Sequence, residues 1–96
     1  MTIEEIESVC ADAILTNGWR AQAVVALEEL SEAQKEICKF MRGKGDKEHL
    51  AEELADAIIM LMQMEMAFGL TGSVHSWMDK KAQRLADRLK GGAAHE

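Results

Sequence analysis

An acidic pattern occurs twice in this 96-residue chain, 24 positions apart, as Glu28-Glu29-Leu30-Ser31-Glu32-Ala33 and as Glu52-Glu53-Leu54-Ala55-Asp56-Ala57. In each copy one acid follows another by three residues, which gives the pairs Glu29/Glu32 and Glu53/Asp56. On an α-helix this spacing puts both carboxylates on one face, about one turn apart. The sequence therefore predicts two helices that each present a pair of carboxylates.

The two acidic helices are predicted to form an antiparallel hairpin. One should run from about Trp19 to Met41 and the next from about Lys47 to Phe68. Gly43-Lys44-Gly45 breaks the first helix, and Asp46 is a good N-cap for the second. Because the connection is short, the helices should be antiparallel neighbours. Counted from this turn, the two acidic pairs lie at heights that differ by about one helical turn or less, so we expect them to face each other.

Apolar residues at helical spacing predict the buried faces of these helices. The stripe of the first helix consists of Ala23, Leu27, Leu30, Gln34, Ile37 and Met41, and it is widened by Ala26, Ala33 and Phe40. The stripe of the second consists of Leu50, Leu54, Ala57, Leu61, Met64 and Phe68. The acidic pairs lie on the flanks of these stripes. Between Ala57 and Met62 the helix is apolar all round, so it should be buried on more than one side, and in so short a chain another subunit is the expected cover.

Two further helices flank the hairpin. Thr2 and Glu5 form a capping-box pattern at the start of the first, and Asn17-Gly18 should end it. Ser73 is a plausible N-cap for the last helix, which should end near Leu89. Its inward residues should be Val74, Met78, Ala82, Leu85 and Leu89.

The predicted architecture is all-α. Residues 1–90 should form one domain, a four-helix bundle that is built on the antiparallel hairpin and completed by oligomerisation. Residues 91–96 should form a flexible tail.

The composition restricts the classes of function. A formal net charge of −6 disfavours general nucleic-acid binding, which needs clustered basic residues. The chain has no signal pattern at its start, and its most apolar run, residues 57–70, is too short to span a membrane. Cys10 and Cys38 have no zinc-binding spacing and are interpreted as reduced thiols. We therefore expect a cytoplasmic protein that binds neither a nucleic acid polymer nor a membrane.

Each acidic pair alone is usually a solvated face. Two pairs that a hairpin brings together repel each other unless they are protonated or bridged by a cation, and a bound metal ion would explain their placement. Di-iron bundles use Glu-x-x-His pairs, but none of the three histidines, His49, His75 and His95, lies three residues after a glutamate. Ligands that are all oxygen atoms favour Mg²⁺ or Mn²⁺ over iron or zinc.

The pattern Glu-Glu-x-x-Glu, a spacer and Glu-Glu-x-x-Asp resembles the signature of the MazG-like, all-α nucleoside triphosphate pyrophosphohydrolases. The resemblance extends from about Gly18 to Arg88 and is greatest to the short, single-domain, phage-type members. The other matching residues are Trp19, Gln22, Gly43, Lys44, Gly45, Asp46, Lys81, Arg84 and Arg88.

The resemblance implies that a homodimer or homotetramer hydrolyses a nucleoside triphosphate to the monophosphate and pyrophosphate, and a deoxynucleotide is the expected substrate. The Mg²⁺ ligands and catalytic acids would be Glu29, Glu32, Glu53 and Asp56. Either Glu29 or Glu32 could instead orient the attacking water. Glu28 and Glu52 would be supporting acids, and Lys81, Arg84 and Arg88 would hold the phosphates.

Several alternatives stay open. Trp19 or Trp77 could stack on the base and Gln22 could hydrogen-bond to it, but packing explains the tryptophans as well. His49 lies in line with Glu53 and could touch the site, or it could be an ordinary exposed residue. The whole chain could also be a non-catalytic interaction or metal-binding module whose third helix binds a partner.

Overall fold

The computed structural model describes residues 1–91, and these residues form helices and turns without strands. The helices are α1 (Ile3–Asn17), α2 (Trp19–Met41), α3 (Lys47–Ala67) and α4 (Thr71–Lys90). The all-α prediction is confirmed for this part of the chain, and so are both predicted ends of α2. The predicted tail lies outside the described residues apart from Gly91, which caps α4.

Local sequence explains where the helices begin and end. The Thr2 hydroxyl accepts a hydrogen bond from the backbone N–H of Glu5 at 3.1 Å, and the Glu5 carboxylate accepts from the Thr2 N–H at 2.7 Å. Gly18 joins α1 to α2 at φ 85°, a conformation that strongly favours glycine. The Asp46 carboxylate accepts from the backbone N–H of His49 at 2.8 Å and so caps the start of α3.

The predicted cap of α4 at Ser73 is wrong, because α4 begins two residues earlier, at Thr71. The turn from α3 to α4 is complete before Ser73 is reached. The N–H of Leu70 donates to the Glu65 carbonyl at 2.7 Å and closes α3, while the Leu70 carbonyl accepts from the Val74 N–H at 2.8 Å and opens α4. Gly69, at φ 66°, makes this reversal without strain.

The hairpin of α2 and α3 buries mainly small and polar residues, and Met60 is the large apolar exception. The buried residues of these helices are Gln22, Ala26, Ala33, Glu36, Ala57, Met60 and Gln63. α1 packs over both helices and contributes the buried Cys10, whereas α4 packs against α3 alone and has no buried residue. The helices of the hairpin can approach closely because alanines occupy the positions between the polar side chains.

In the single chain the predicted inward stripes are confirmed at the alanines and wrong for most of the large apolar residues. Ala26, Ala33 and Ala57 are buried. On α2, Leu27 is 69% exposed and Met41 is 81% exposed, and on α3 Leu61 is 46% and Phe68 49% exposed. The α4 stripe is likewise exposed at Met78, Leu85 and Leu89. The reason is that α2 and α3 each carry two neighbouring faces with helical spacing. The faces with small and polar residues pack against each other, so the large apolar residues lie on the outside.

The chain is extended for its size. Its radius of gyration is 16.2 Å, whereas about 12.5 Å is typical of a compact domain of this length. Its accessible surface is 7218 Å², whereas about 5,500 Å² is expected for this mass. The exposed apolar faces of α2, α3 and α4 account for this shape. Among residues 1–91, none of the helices has the length and apolar character needed to cross a membrane.

Candidate metal centre

Three contacts between α2 and α3 define the register of the hairpin. They join Gln22 to Gln63, Glu29 to Asp56 and Glu36 to His49. Successive contacts lie seven residues further along α2 and seven residues back along α3, as expected for antiparallel helices that pack along one seam. Polar side chains therefore line the interior of the hairpin at regular intervals.

Three carboxylates meet near the middle of this seam. Glu29 from α2 and Glu53 and Asp56 from α3 each place one carboxylate oxygen within 4.8 Å of the other two. All three residues are partly buried, and the Glu53 side chain is only 16% exposed. Oxygen ligands about 2.1 Å from Mg²⁺ lie up to about 4.2 Å from each other, so small side-chain rotations would bring these oxygens onto one cation.

The donor set suits Mg²⁺ or Mn²⁺. It consists of carboxylate oxygens alone, which hard divalent cations prefer. Three carboxylates also leave further positions on the cation for water and phosphate oxygens, as is usual for Mg²⁺ in proteins. The residues that the structure brings together therefore fit the predicted metal.

Like-charge repulsion within this group acts most clearly on Glu29. Partial burial raises the pKa of the Glu29 carboxyl, and the neighbouring charges of Asp56 and Glu53 raise it further, as do those of Glu32 and Glu28. An upward shift of the pKa is expected when like charges face a carboxylate and no cation lies between them. A divalent cation between the three carboxylates would oppose this shift, because it would favour the ionised form.

Glu32, the fourth predicted ligand, lies outside the three-carboxylate group. Its side chain is 54% exposed, and its carboxylate lies 3.3 Å from the Nζ of Lys35. The two supporting acids also lie outside the group. Glu28 is exposed, and Glu52 is 70% exposed with its Oε1 3.4 Å from the Nδ1 of His49.

Glu36 lies next to the group, and its side chain is 9% exposed. Its Oε2 is 3.2 Å from the Nζ of Lys39 and 3.3 Å from the Nε2 of His49, while its buried Oε1 has no hydrogen-bond partner. The same His49 nitrogen is 4.0 Å from the Oε2 of Glu53. Glu36 and His49 therefore form the polar layer between the carboxylates and the turn.

The buried roles of Glu36 and Gln63 were not predicted from the sequence. The signal that could have revealed them is the seven-residue interval between polar residues on each helix. It relates Gln22, Glu29 and Glu36 on α2, and His49, Asp56 and Gln63 on α3. Residues seven apart lie on one helix face, so the repeat marks the two faces that meet.

Gln22 and Trp19 lie at the other end of the hairpin. The Nε2 of Gln22 donates to the Oε1 of Gln63 at 2.7 Å, and the Oε1 of Gln22 accepts from the Nδ2 of Asn17 at 3.0 Å. Trp19 packs edge-on against Phe68 with ring centroids 5.4 Å apart. Along α2, these two residues are about 10 Å and 15 Å from Glu29. Their contacts within the chain are those of packing residues.

The basic residues of α4 do not contact the carboxylates within one chain. Lys81 lines an open cleft with Trp77 and Met78, and its Nζ is 5.9 Å from the centroid of the Trp77 ring. Arg84 and Arg88 are exposed and form no ion pair with any residue in the range 1–91. α4 itself packs only against α3.

Comparisons of the chain with protein-family models, with curated proteins and with solved structures found no match.

Proposed function

We propose that this protein is a MazG-like, Mg²⁺-dependent pyrophosphohydrolase that converts a nucleoside triphosphate to the monophosphate and pyrophosphate in the cytoplasm. The observation that carries the proposal is the meeting of Glu29, Glu53 and Asp56, which come from both copies of the acidic pattern. A hairpin that presses carboxylates together, and so raises the pKa of Glu29, is stabilised when a cation joins them. Cation binding explains why these acids lie inside the hairpin.

The acidic residues have two different roles in the proposed site. Glu29, Glu53 and Asp56 hold the cation between α2 and α3. When bound, Mg²⁺ supplies charge neutralisation of the triphosphate, polarisation of the phosphorus under attack and acidification of the attacking water. Glu32 lies beside this group and is largely exposed, so we assign it to orient the water rather than to bind the cation.

Recognition of the rest of the substrate is assigned to α4. Lys81, Arg84 and Arg88 are exposed, and their charged groups suit phosphate oxygens. Trp77 is 51% exposed beside Lys81 and offers a flat ring on which a base can stack. Since α4 has no contact with α2 in one chain, a neighbouring subunit would bring these residues to the carboxylates.

We propose that the chain works as a homodimer or homotetramer. Its accessible surface of 7218 Å² exceeds the value for a compact monomer by about 1,700 Å². A standard interface buries about 800 Å² per partner, so the excess is large enough for one or two such interfaces. The surface available for such an interface is apolar. It includes Leu27, Ile37, Leu61 and Phe68.

The decisive experiment measures pyrophosphate release. The purified protein is incubated with each ribonucleoside and deoxyribonucleoside triphosphate in turn, with Mg²⁺ and with EDTA. We expect release from at least one substrate, in Mg²⁺ only. If none of the triphosphates releases pyrophosphate, the proposed activity is refuted.

Substitutions test the division of roles. Glu53→Gln and Asp56→Asn should abolish both turnover and the rise in melting temperature on addition of Mg²⁺. Glu32→Gln should keep the Mg²⁺ response but lose about 100-fold in kcat. Glu48→Gln, an exposed acid in the first turn of α3, is the matched control. Full activity in both Glu53→Gln and Asp56→Asn would show that the ligand assignment is wrong.

The second candidate function is a non-catalytic interaction or metal-binding module. The exposed apolar residues of α3 and α4, which line a groove of about 430 Å³, favour it. An interaction module should melt at the same temperature with and without Mg²⁺. A metal-binding module should melt higher in Mg²⁺ yet release no pyrophosphate.

A further inference from the structure

A row of four side chains connects the turn end of α2 to the carboxylate group. The Nζ of Lys39 is 3.2 Å from the Oε2 of Glu36, and that oxygen is 3.3 Å from the Nε2 of His49. The same nitrogen is 4.0 Å from the Oε2 of Glu53. Basic and acidic side chains thus alternate along the row, and its last member is one of the three carboxylates.

His49 is held in place from both sides of its ring. Its Nε2 faces the carboxylate of Glu36, which is buried and therefore cannot turn away into solvent without opening the hairpin. Its Nδ1 lies 3.4 Å from the Oε1 of Glu52. The backbone of His49 is fixed as well, because its N–H donates to the cap residue Asp46 at 2.8 Å. Carboxylates from both α2 and α3 therefore face the ring nitrogens of His49, whose side chain is 44% exposed.

Glu53 occupies a position that repulsion from neighbouring carboxylates disfavours. Its oxygen lies within 4.8 Å of oxygens of Glu29 and Asp56, and repulsion between like charges favours turning a flexible side chain away. Its side chain is nevertheless only 16% exposed. His49 is one turn earlier on the same face of α3, and its imidazole, 4.0 Å from the Glu53 carboxylate, is placed to oppose this rotation.

We propose that His49 is a positioning residue that keeps Glu53 directed toward Glu29 and so prepares the carboxylate group for a divalent cation. The inference rests on the proposed function of the site. Residues that orient metal ligands typically contribute about 10- to 100-fold to metal affinity or activity. His49 acts on the cation through Glu53 and does not itself bind it.

The test measures Mn²⁺ binding to the protein without substrate, from the loss of the electron paramagnetic resonance signal of free Mn²⁺. We expect His49→Leu to weaken Mn²⁺ affinity by about tenfold. His49→Gln, whose amide can still donate toward Glu53, should lose less. His75→Leu, on α4, is the matched control and should bind Mn²⁺ like the wild type. Turnover of His49→Leu should recover in large part at saturating Mg²⁺, because its defect lies in cation affinity.

Thermal melting of the variants in EDTA distinguishes a positioning role of His49 from a contribution to the stability of the fold. If His49→Leu melts lower but binds Mn²⁺ as tightly as the wild type, His49 is a structural residue and the proposal is overturned. If His49→Leu does not fold, His49→Ala replaces it, since alanine also removes the donor and is a good helix former, and unchanged Mn²⁺ affinity in that variant also overturns the proposal. A wild-type protein that binds no Mn²⁺ overturns the metal centre itself. A wild-type protein that binds Mn²⁺ but releases no pyrophosphate refutes only the activity.

Discussion

In the proposed metal centre, Glu29 connects the stability of the hairpin with the binding of a cation. Burial and the charges of Asp56 and Glu53 raise its pKa above the ordinary value of 4.5. The folded protein therefore binds the Glu29 proton more tightly than the unfolded chain does, and stability falls as the pH rises through the interval between the two pKa values. Above that interval the ionised carboxylate destabilises the metal-free protein, and a divalent cation removes the effect.

We expect Glu29→Gln to raise the melting temperature of the metal-free protein at neutral pH, because an amide does not repel Asp56 and Glu53. The difference from the wild type should shrink below pH 4.5, where Glu29 is protonated whether the chain is folded or unfolded. With Mg²⁺ the order should reverse, since only the wild type gains a full set of ligands. Thermal melting across pH, in EDTA and in Mg²⁺, tests this. A variant that melts below the wild type in EDTA at neutral pH would contradict it.

The helices themselves could be predicted from local sequence. Thr2 with Glu5, Asn17-Gly18 and Asp46 are strong local signals, and the structure uses each of them at a helix end. Ser73 was a weaker signal, because a serine two residues after a helix has begun looks the same in sequence as one that caps it.

The faces of the helices could not be predicted in the same way. Hydrophobic periodicity shows that Leu27 and Leu61 should be covered, but it does not show whether the cover belongs to the same chain. In the single chain both residues are largely exposed. The acidic pattern was the better guide to the hairpin, because Glu29, Glu53 and Asp56 do meet.

The environments of some site residues could not be predicted from the sequence alone. Gln22 was matched to a base-binding position by resemblance, yet its amide is bonded to Gln63, a pairing that depends on the hairpin register. Glu36 is the fourth acid of α2, and in the sequence it looks like part of an ordinary charged surface. Its burial follows from packing against α3, which the composition of α2 alone does not specify.

The pair Gln22 and Gln63 offers a test of the register. Gln63→Leu would leave the buried amide of Gln22 without its acceptor, which should lower the free energy of unfolding by about 1–3 kcal/mol. The double variant Gln22→Leu/Gln63→Leu should cost less than the sum of the two single variants, because it removes both partners. Urea unfolding measures these values.

The control for this pair is Gln83→Leu. Gln83 is exposed on α4, where its amide donates to Asp87 at 3.0 Å, so its replacement should change the free energy of unfolding by about 0.5 kcal/mol or less. A Gln63→Leu variant no less stable than Gln83→Leu would show that α2 and α3 do not pair in this register.

The whole molecule has two kinds of helix face with different partners. The polar faces of α2 and α3 meet inside one chain and form the carboxylate group, while their apolar faces and that of α4 are left outside. The separation has a physical advantage for a metal site. In the proposed assembly the metal ligands would be fixed by contacts within a chain, whereas apolar burial would drive association with other chains and could bring new groups, such as the basic residues of α4, to the site.

The state of assembly can therefore be changed without disturbing the hairpin. Leu61 lines the groove between α3 and α4 and is 46% exposed in one chain. We expect Leu61→Glu to keep its helical circular dichroism, because the new charge faces water in the monomer. An apolar interface would bury that charge without a partner, so the variant should sediment as a monomer at micromolar concentration while the wild type sediments as a dimer or tetramer.

Ser8→Glu, which adds the same charge at an exposed polar position of α1, should leave the assembly intact. If a neighbouring subunit supplies Lys81, Arg84 and Arg88, Leu61→Glu should also lose pyrophosphate release while its Mn²⁺ affinity stays close to that of the wild type, because Glu29, Glu53 and Asp56 lie in one chain. A wild-type monomer, or a Leu61→Glu variant of unchanged size, would contradict the proposed assembly. A monomeric variant with full activity would show that one chain holds the complete site.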